Sequence, residues 1–379
     1  MPPIYLDYNA TTPLDPEVAK TMLPYLTDHF GNPSSAHWFG AQTKQAIAKA
    51  RMQVAQLIGC ESDEVIFTSG GSEANNYALK GYAWANRARG THLLASEIEH
   101  PAVLEVFEYL KHCGFSYSLL PVDEYGRVSP RDFQAALTPH TILASVMHAN
   151  NEVGTLQPIA ELAVIARQAG VAFHCDAAQS VGKVPVRVPD MHVDLLSIAG
   201  HKLYAPKGIG ALYVRRGVQL EKLIHGAGHE QNRRAGTENV LEIVGLGQAC
   251  AIAARELEEN MKHMRALRER LRLGLQQNIP ALKFNGHPEQ SLPNTLSVSF
   301  RGLTANTLMA ELRDVLAVSP GAACHAEAVT VSHVLAAMHV PREYALGTLR
   351  LSLGKRTTAD EIDRAVAVLA ATVKKLTRS

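Results

Sequence analysis

The stretch Val171 to Lys202, VAFHCDAAQSVGKVPVRVPDMHVDLLSIAGHK, decides how the rest of the chain is read. Its opening run, Val171 to Cys175, is short and apolar and predicts a buried strand with Asp176 at its carboxyl end. A second run, Leu195 to Ala199, predicts another strand that delivers Gly200, His201 and Lys202 just past its end. Ligands of open α/β sheets bind outside the carboxyl ends of the strands, so these two ends would set a carboxylate and a lysine amine around one crevice. An isolated Asp and Lys in such places are ordinarily a helix cap and a surface cation. The flanking chain gives them another meaning.

Upstream, Val65 to Thr68 predicts a strand, Ser69-Gly70-Gly71-Ser72 a tight turn, and Glu73 to Lys80 the start of a helix. A glycine-rich turn feeding a helix amino terminus exposes backbone N–H groups and the positive end of the helix dipole, which favours a phosphate. The turn matches neither the dinucleotide pattern of three spaced glycines nor the Gly-Lys-Ser/Thr pattern. His92 to Ser96 predicts a further strand, and Pro101 suits a first helical turn, which puts His100 at a strand-to-helix corner. Thr141 to Met147 is strand-like and runs into His148-Ala149-Asn150-Asn151-Glu152-Val153-Gly154, where an Asn amide can donate to a ligand oxygen. Nearer the start, Asp7 to Pro13 reads as an irregular polar segment and Asp15-Pro16-Glu17 as a capped helix start. Gly31 to Ser35 reads as a loop. Ala41 to Ile58 carries Ile47, Ala50, Val54 and Ile58 at helical spacing and is ended by Gly59.

Downstream of Lys202, Tyr204 to Gly210 reads as a rigid loop entering a strand from Ala211 to Val214. Gly226 to Glu238 is a polar, glycine-interrupted loop holding Arg233, Arg234 and Thr237, of a length that is usually functional or mobile. From Ala253 a long amphipathic helix is marked by Leu257, Met261, Met264, Leu267, Leu271 and Leu275, and it bridges to a smaller domain. That domain shows an alternating strand from Leu296 to Phe300, a helix from Ala305 to Leu312, an irregular loop from Ser319 to His325 and a strand from Leu349 to Leu353. Its last helix opens with the capping pattern Thr358-Ala359-Asp360-Glu361.

With 379 residues, 46% hydrophobic and 19% charged, the chain has the composition of a globular enzyme with room for two domains. Its 37 basic and 36 acidic residues leave no global field to recruit nucleic acid or an anionic membrane. The start lacks the basic flank and apolar core of a signal peptide, and no uninterrupted apolar run is long enough to cross a bilayer. Cys60, Cys113, Cys175, Cys250 and Cys324 are scattered, odd in number and without Cys-x-x-Cys spacing, which argues against a disulfide framework or a zinc site. The expectation is a reduced, cytoplasmic protein without a structural metal.

A lysine for a Schiff base and an acid to keep a ring nitrogen protonated are what pyridoxal 5'-phosphate (PLP) needs. From Asp7-Tyr8-Asn9-Ala10-Thr11-Thr12-Pro13 to Leu349-Arg350-Leu351-Ser352, the chain resembles the class V aminotransferase-type cysteine desulfurases, and the related selenocysteine lyases share the pattern. The resemblance implies an α/β PLP-dependent transferase (aspartate aminotransferase-like) fold. A large domain with a mostly parallel sheet would span 14–252. A small α+β domain, 253–379 with the segment 1–13, would carry the catalytic cysteine loop. The resemblance further implies that Lys202 is the Schiff-base lysine, Asp176 the partner of the pyridine nitrogen and Gln179 a donor to the 3′-oxygen. His100 would stack on the ring and handle protons. Gly71, Ser72 and His201 would hold the phosphate, and Thr237 would reach the phosphate of the other subunit of a homodimer. Asn151, also a cofactor neighbour, and Arg350 would receive the substrate carboxylate, and Cys324 would take the sulfur as a persulfide.

The implied reaction converts L-cysteine to L-alanine and passes sulfur to an acceptor protein. Two departures from the desulfurase pattern point toward L-selenocysteine as the alternative substrate. Ala199 stands where many desulfurases have Ser, and Cys324 is followed by His325 and Ala326 instead of Thr-Ser. His325 could favour the thiolate of Cys324. Pro101 after His100 points back to the desulfurases. A PLP aminotransferase would leave Cys324 without a task, and an inactive scaffold would not retain Lys202, Asp176, His100 and Cys324 together.

Overall fold

The computed structural model describes residues 2–325 and 328–378, with the backbone alone at 322–325 and 328–330. After a short first strand, β1 (Ile4–Tyr5), the chain supplies β2 (Val65–Thr68), β3 (His92–Ser96), β4 (Ser116–Leu120), β5 (Thr141–Ser145), β6 (Ala172–Asp176), β7 (Leu195–Ala199) and β8 (Gly210–Val214). These last seven strands form one sheet in the order β2-β8-β7-β6-β5-β3-β4. All but β4 are buried along their whole length, which is why they read as short, largely apolar runs. The edge strand β4 is largely exposed and carries Ser116 and Ser118. Neighbours from β4 through β7 run parallel, whereas β8 runs antiparallel to both β7 and β2. The mostly parallel sheet expected from sequence is thus present, and the carboxyl ends of β2, β3, β5, β6 and β7 open on one side.

The turn after β2 is shorter than its sequence suggests. Gly70 is the helix cap at φ 153°, a conformation that favours glycine, and the helix already begins at Gly71 and runs to Ala85. Ser72 therefore stands in the first helical turn, among the N–H groups that no intrahelical carbonyl can satisfy.

Beyond the sheet, the helix Val240–Asn278 is one continuous element of 39 residues. It begins upstream of the expected Ala253, and Gly245 and Gly247 within it serve close packing. A Cβ on Gly247 would lie 2.5 Å from the Cα of Ala50 in the helix Trp38–Ile58. The first half of this long helix, with Ile243, Leu246, Ile252 and Ala253, joins the core against the large sheet. Leu267, Leu271 and Leu275 join a second core with Ile4, Leu6 and the apolar face of the last helix, Ala359–Leu376.

That second core lies against β9 (Leu282–Asn285), β10 (Thr295–Phe300), β11 (Leu316–Ala317), β12 (Ser319–Pro320) and β15 (Thr348–Ser352), with β13 (Ala322–His325) and β14 (Ala328–Val331) forming a separate hairpin. The antiparallel order is β12-β15-β10-β9, and β1 pairs with β11. One expectation is corrected here. The segment Ser319 to His325 is strand and hairpin, not irregular loop, and Pro320 is tolerated because β12 is an edge. β10 alternates apolar and polar residues but is buried on both faces. Its Ser299 bonds Asn285 at 2.8 Å and Thr348 at 2.7 Å, a buried polar layer in place of solvent. Among the described residues no helix is long and apolar enough to cross a membrane.

Substituting Gly247 by Val should overpack the contact with Ala50 and lower stability by about 1–3 kcal/mol. A thermal melt with a midpoint equal to that of the parent would contradict this account of the helix pair.

Candidate active site

A cavity of about 290 Å³ lies at the carboxyl ends of the parallel strands. Gly71 and Ser72 line it from beyond β2, His100 from beyond β3, and Asn151 from beyond β5. Asp176 and Gln179 come from the end of β6, and His201 and Lys202 from beyond β7. Eight residues singled out from sequence therefore meet in one place, although they come from five separate strand ends.

Asp176 is buried, and each of its oxygens accepts a bond. Oδ2 takes the Nδ2–H of Asn75 at 2.7 Å, and Oδ1 takes the backbone N–H of Ala178 at 2.9 Å. Asn75 stands on the helix Gly71–Ala85, so the helix at one end of the cavity also orients the acid. Behind Asp176, His174 is wholly buried between Ser145 and Ser197, and burial pushes its imidazole down to about 4. It stays neutral and adds no charge under the acid.

The Lys202 amine donates to the carbonyl oxygens of Asn9 at 2.6 Å and Ala10 at 2.8 Å. Burial is the main reason its amine is lowered to about 8. The Arg350 charge acts in the same direction, and Asp7 and Asp176 oppose it. Asn9, 1% exposed, accepts the Nε2–H of Gln179 on the same carbonyl at 3.0 Å.

At the helix end of the cavity, Ser72 faces His201, whose Nδ1 shares a bond with the Thr11 hydroxyl at 3.2 Å. Burial and the neighbouring lysines push His201 down to about 4, so it acts as a neutral hydrogen-bonding group. Ala199 lines the same end with a methyl group in place of a hydroxyl.

His100 caps the helix Pro101–His112, its Nδ1 accepting the N–H of Ala102 at 3.1 Å. That bond places the ring proton on Nε2. Crowding around the ring lowers its pKa, and so does the Lys202 charge, while Asp176 acts against them. The preceding residue, Glu99, is fully buried. Its Oε1 accepts from Ser96 at 2.5 Å and from the Met147 N–H at 2.8 Å, and burial pushes the carboxyl up to about 8.

Arg350 and Thr237 do not line the cavity. The Arg350 guanidinium, 8% exposed, donates to Asp7 at 2.8 Å, to Ser319 at 2.9 Å and to the Asn151 carbonyl at 3.1 Å, while its Nε has no partner among the described residues. Thr237 is exposed. Asn150 makes a turn, its oxygen accepting the N–H groups of Glu152 and Val153, and leaves the cavity to Asn151.

The hairpin β13–β14 is rooted beside these groups. Ser319 on β12 bonds Arg350 and Asp7, Ser332 beyond β14 donates to Glu152 at 2.6 Å, and His333 donates to the Glu99 carbonyl at 2.9 Å. The Cys324 and His325 side chains, carried between these roots, lie outside the described residues.

Sequence reading missed Asn9, Asn75 and Lys183. The concentration of Asn and Thr in Asp7 to Pro13 was the available signal for the first. Asn75 and Lys183 bond partners that no local spacing connects to a ligand.

A lysine amine, an amide-held carboxylate and a helix amino terminus with a hydroxyl form the donor set suited to a phosphorylated pyridine aldehyde. The aminotransferase class-V family model matches residues 4–365, and the chain belongs to that family of PLP-dependent enzymes. It is 46% identical to the cysteine desulfurase IscS of Methanosarcina thermophila over 374 residues, covering 98% of this chain and 92% of that one. A solved structure described as a NifS-like protein superposes with a TM-score of 0.92 at 38% identity, over 100% of both chains. A structure of SspA in complex with cysteine gives 0.82 at 36%, over 94% of this chain and 100% of that one. These likenesses bear out the PLP-dependent transferase fold expected from sequence.

In the cofactor-free protein, acylation of Lys202 should show a pH midpoint near 8. A midpoint at the ordinary lysine value of about 10.4 would contradict the burial described for its amine.

Proposed function

We propose that the chain is a PLP-dependent cysteine desulfurase that converts L-cysteine to L-alanine and receives the sulfur on Cys324 as a persulfide. The observation that carries this reading is the meeting of Lys202, Asp176 and the Gly71–Ser72 turn in one cavity. The desulfurase IscS and the cysteine-bound SspA, both alike over nearly the whole chain, supply the substrate class.

Held at Lys202, the cofactor would supply an electron sink for bond changes at the substrate's Cα. Asp176, pinned by Asn75 and Ala178, holds the ring nitrogen protonated. The helix start at Gly71 and Ser72, with His201, holds the phosphate, and Gln179 donates to the 3′-oxygen. The His100 ring would stack on the cofactor, and its neutral imidazole together with the depressed Lys202 amine would move protons near neutral pH. Asn151 and Arg350 receive the substrate carboxylate, the arginine being aimed by Asp7 and Ser319. The Cys324 thiolate then attacks the substrate sulfur, so that an S–S bond forms as the C–S bond breaks. The rooting of the Cys324 hairpin at Arg350, Glu152 and Glu99 supports this assignment.

The working enzyme is a homodimer in which Thr237 completes the partner's phosphate site. In support, Leu23, Leu26, Phe30 and Trp38 are all large, apolar and more than half exposed, and Thr237 is exposed outside its own cavity. The unit 14–252 acts as the large domain and 253–379 with 1–13 as the small one, bridged by the helix Val240–Asn278. Among the described residues Cys60, Cys113, Cys175 and Cys250 are unpaired, which suits a reducing, cytoplasmic compartment, and the persulfide sulfur goes on to an acceptor protein. L-selenocysteine is the second reading, favoured by the methyl of Ala199 at the phosphate end and by the Cys324-His325 pair. Parallel turnover of the two amino acids separates them.

Cys324→Ala should still bind cysteine, seen as a change in cofactor absorbance, while alanine and sulfide production nearly vanish. Desulfuration at the parent rate would remove Cys324 from the mechanism. Light scattering should give the mass of two chains. A one-chain mass with cofactor fully bound would count against the role of Thr237. Ser72→Ala should weaken cofactor retention by about 0.5–1.5 kcal/mol, and retention unchanged there and in His201→Ala would count against the phosphate site.

A further inference from the structure

We propose that Lys183 is a positioning residue that fixes the amide of Gln179, so that its N–H side is presented to the cofactor's ring oxygen. Lys183 is 4% exposed and follows Gln179 by one turn after β6. Its Nζ donates to Gln179 Oε1 at 2.9 Å and to Asn9 Oδ1 at 3.1 Å. Among the described residues it has no carboxylate within ion-pair distance, so this buried amine is not held by an opposite charge.

Lysine offers donors and no acceptor. The oxygen of Gln179 must therefore face Lys183, and its nitrogen must face the Asn9 carbonyl, where one N–H bonds at 3.0 Å. The second N–H of that nitrogen is left for the cavity that Gln179 lines. A side chain with both donor and acceptor at position 183 would end the donor-only contact on the oxygen side and leave the amide oriented by the Asn9 carbonyl alone. Asn9 is oriented in the same way. Its oxygen also accepts from Asn294 at 3.0 Å, and its Nδ2 donates to Thr295 at 2.8 Å and to the Asn151 carbonyl at 3.2 Å. The carbonyl of that same residue receives the Lys202 amine. Burial lowers the Lys183 amine well below the ordinary lysine value; a neutral amine keeps the two N–H groups these bonds require but gains a lone pair, and the Asn9 carbonyl, which can only accept, still draws the Gln179 nitrogen to itself.

The inference rests on the reading of Lys202 as the PLP-binding lysine, and its test separates the two. PLP is added to the parent, to Lys183→Met, to Gln179→Met and to the double variant, and the cofactor's absorbance is followed against pH, with thermal midpoints recorded alongside. Losing the donor leaves negative charge on the ring oxygen less stabilised, so the proton shared with the Lys202 nitrogen is held more tightly. The absorbance midpoint should rise by about one pH unit in either single variant, and no further in the double, because both changes remove the same interaction. Lys183→Arg keeps a donor-only group and should keep the parental midpoint. A lowered thermal midpoint with an unchanged absorbance midpoint in Lys183→Met would make Lys183 merely structural and overturn the proposal, as would additive shifts in the double variant. Should Lys183→Met fail to hold PLP, Lys183→Gln carries the test: its amide can present an oxygen to Gln179, so the midpoint must still rise, and a parental value overturns the inference. A parent that shows no PLP band, or no borohydride-trapped adduct on Lys202, sinks the functional reading itself.

Discussion

The amine of Lys202 is buried and must have acceptors, and the chain provides them from its first ten residues. The carbonyl oxygens of Asn9 and Ala10 come within 2.6 and 2.8 Å, which requires the amino-terminal segment to cross the strand ends of the large sheet. A buried polar group left without a partner costs on the order of 1–3 kcal/mol, so this crossing is a condition of folding as well as a part of the site. The segment is held in turn by the smaller sheet. The Asn9 N–H bonds Ser352 on β15, its Nδ2 bonds Thr295 on β10, and Asp7 pairs with Arg350 on β15. One short stretch thereby joins both sheets at the place where Lys202 emerges, and the relative placement of the sheets and the geometry of the cavity are a single problem.

The same economy governs the polar loop Gly226 to Glu238. Glu230, Gln231 and Asn232 all lie in the left-handed region, at φ 47°, 57° and 64°, each at a cost of about 1–2 kcal/mol. What offsets that strain is a buried carboxylate. Glu230 accepts two bonds from Arg51, at 2.6 and 2.7 Å, and one from the Phe67 N–H at 2.9 Å, while the Arg51 guanidinium stacks on Phe67. A few residues on, Arg234 grips Glu73, which also accepts the Ser69 N–H at the turn after β2. The loop that presents Thr237 is thus fastened to the helix start that lines the cavity, so a length of chain whose composition suggests mobility is rigidly placed.

Local order was legible in the chain where neighbours alone set it. β2, β3 and β7 were read to the residue, because each is a short, largely apolar run buried on both faces. The caps at Asp15, His100 and Thr358 stand at the expected helix starts, because capping is a matter of one side chain and the next turn of backbone. Asp176 and Lys202 were found for a related reason: strand ends in a parallel sheet share one side, so residue type and position in the run were enough. Ser319 to His325 failed the same test. Its glycine, proline and alanines have no strand propensity, and only pairing with β15 and within the hairpin gives that stretch its conformation.

Sequence by itself therefore determined the α/β class, the succession of strands and helices, and the chemical set of lysine, carboxylate, histidine and glycine turn, since each depends on residue type and short-range pattern. Tertiary structure alone decided which groups hold those residues in working order. Asn75 on Asp176, Asn9 beneath Lys202, and Lys183 behind Gln179 are contacts between residues from 4 to 193 positions apart, and even the nearest pair gains its meaning from a third residue far along the chain. Hydrogen bonds orient a side chain only after packing has brought donor and acceptor within about 3 Å, and no periodicity in the chain records that event.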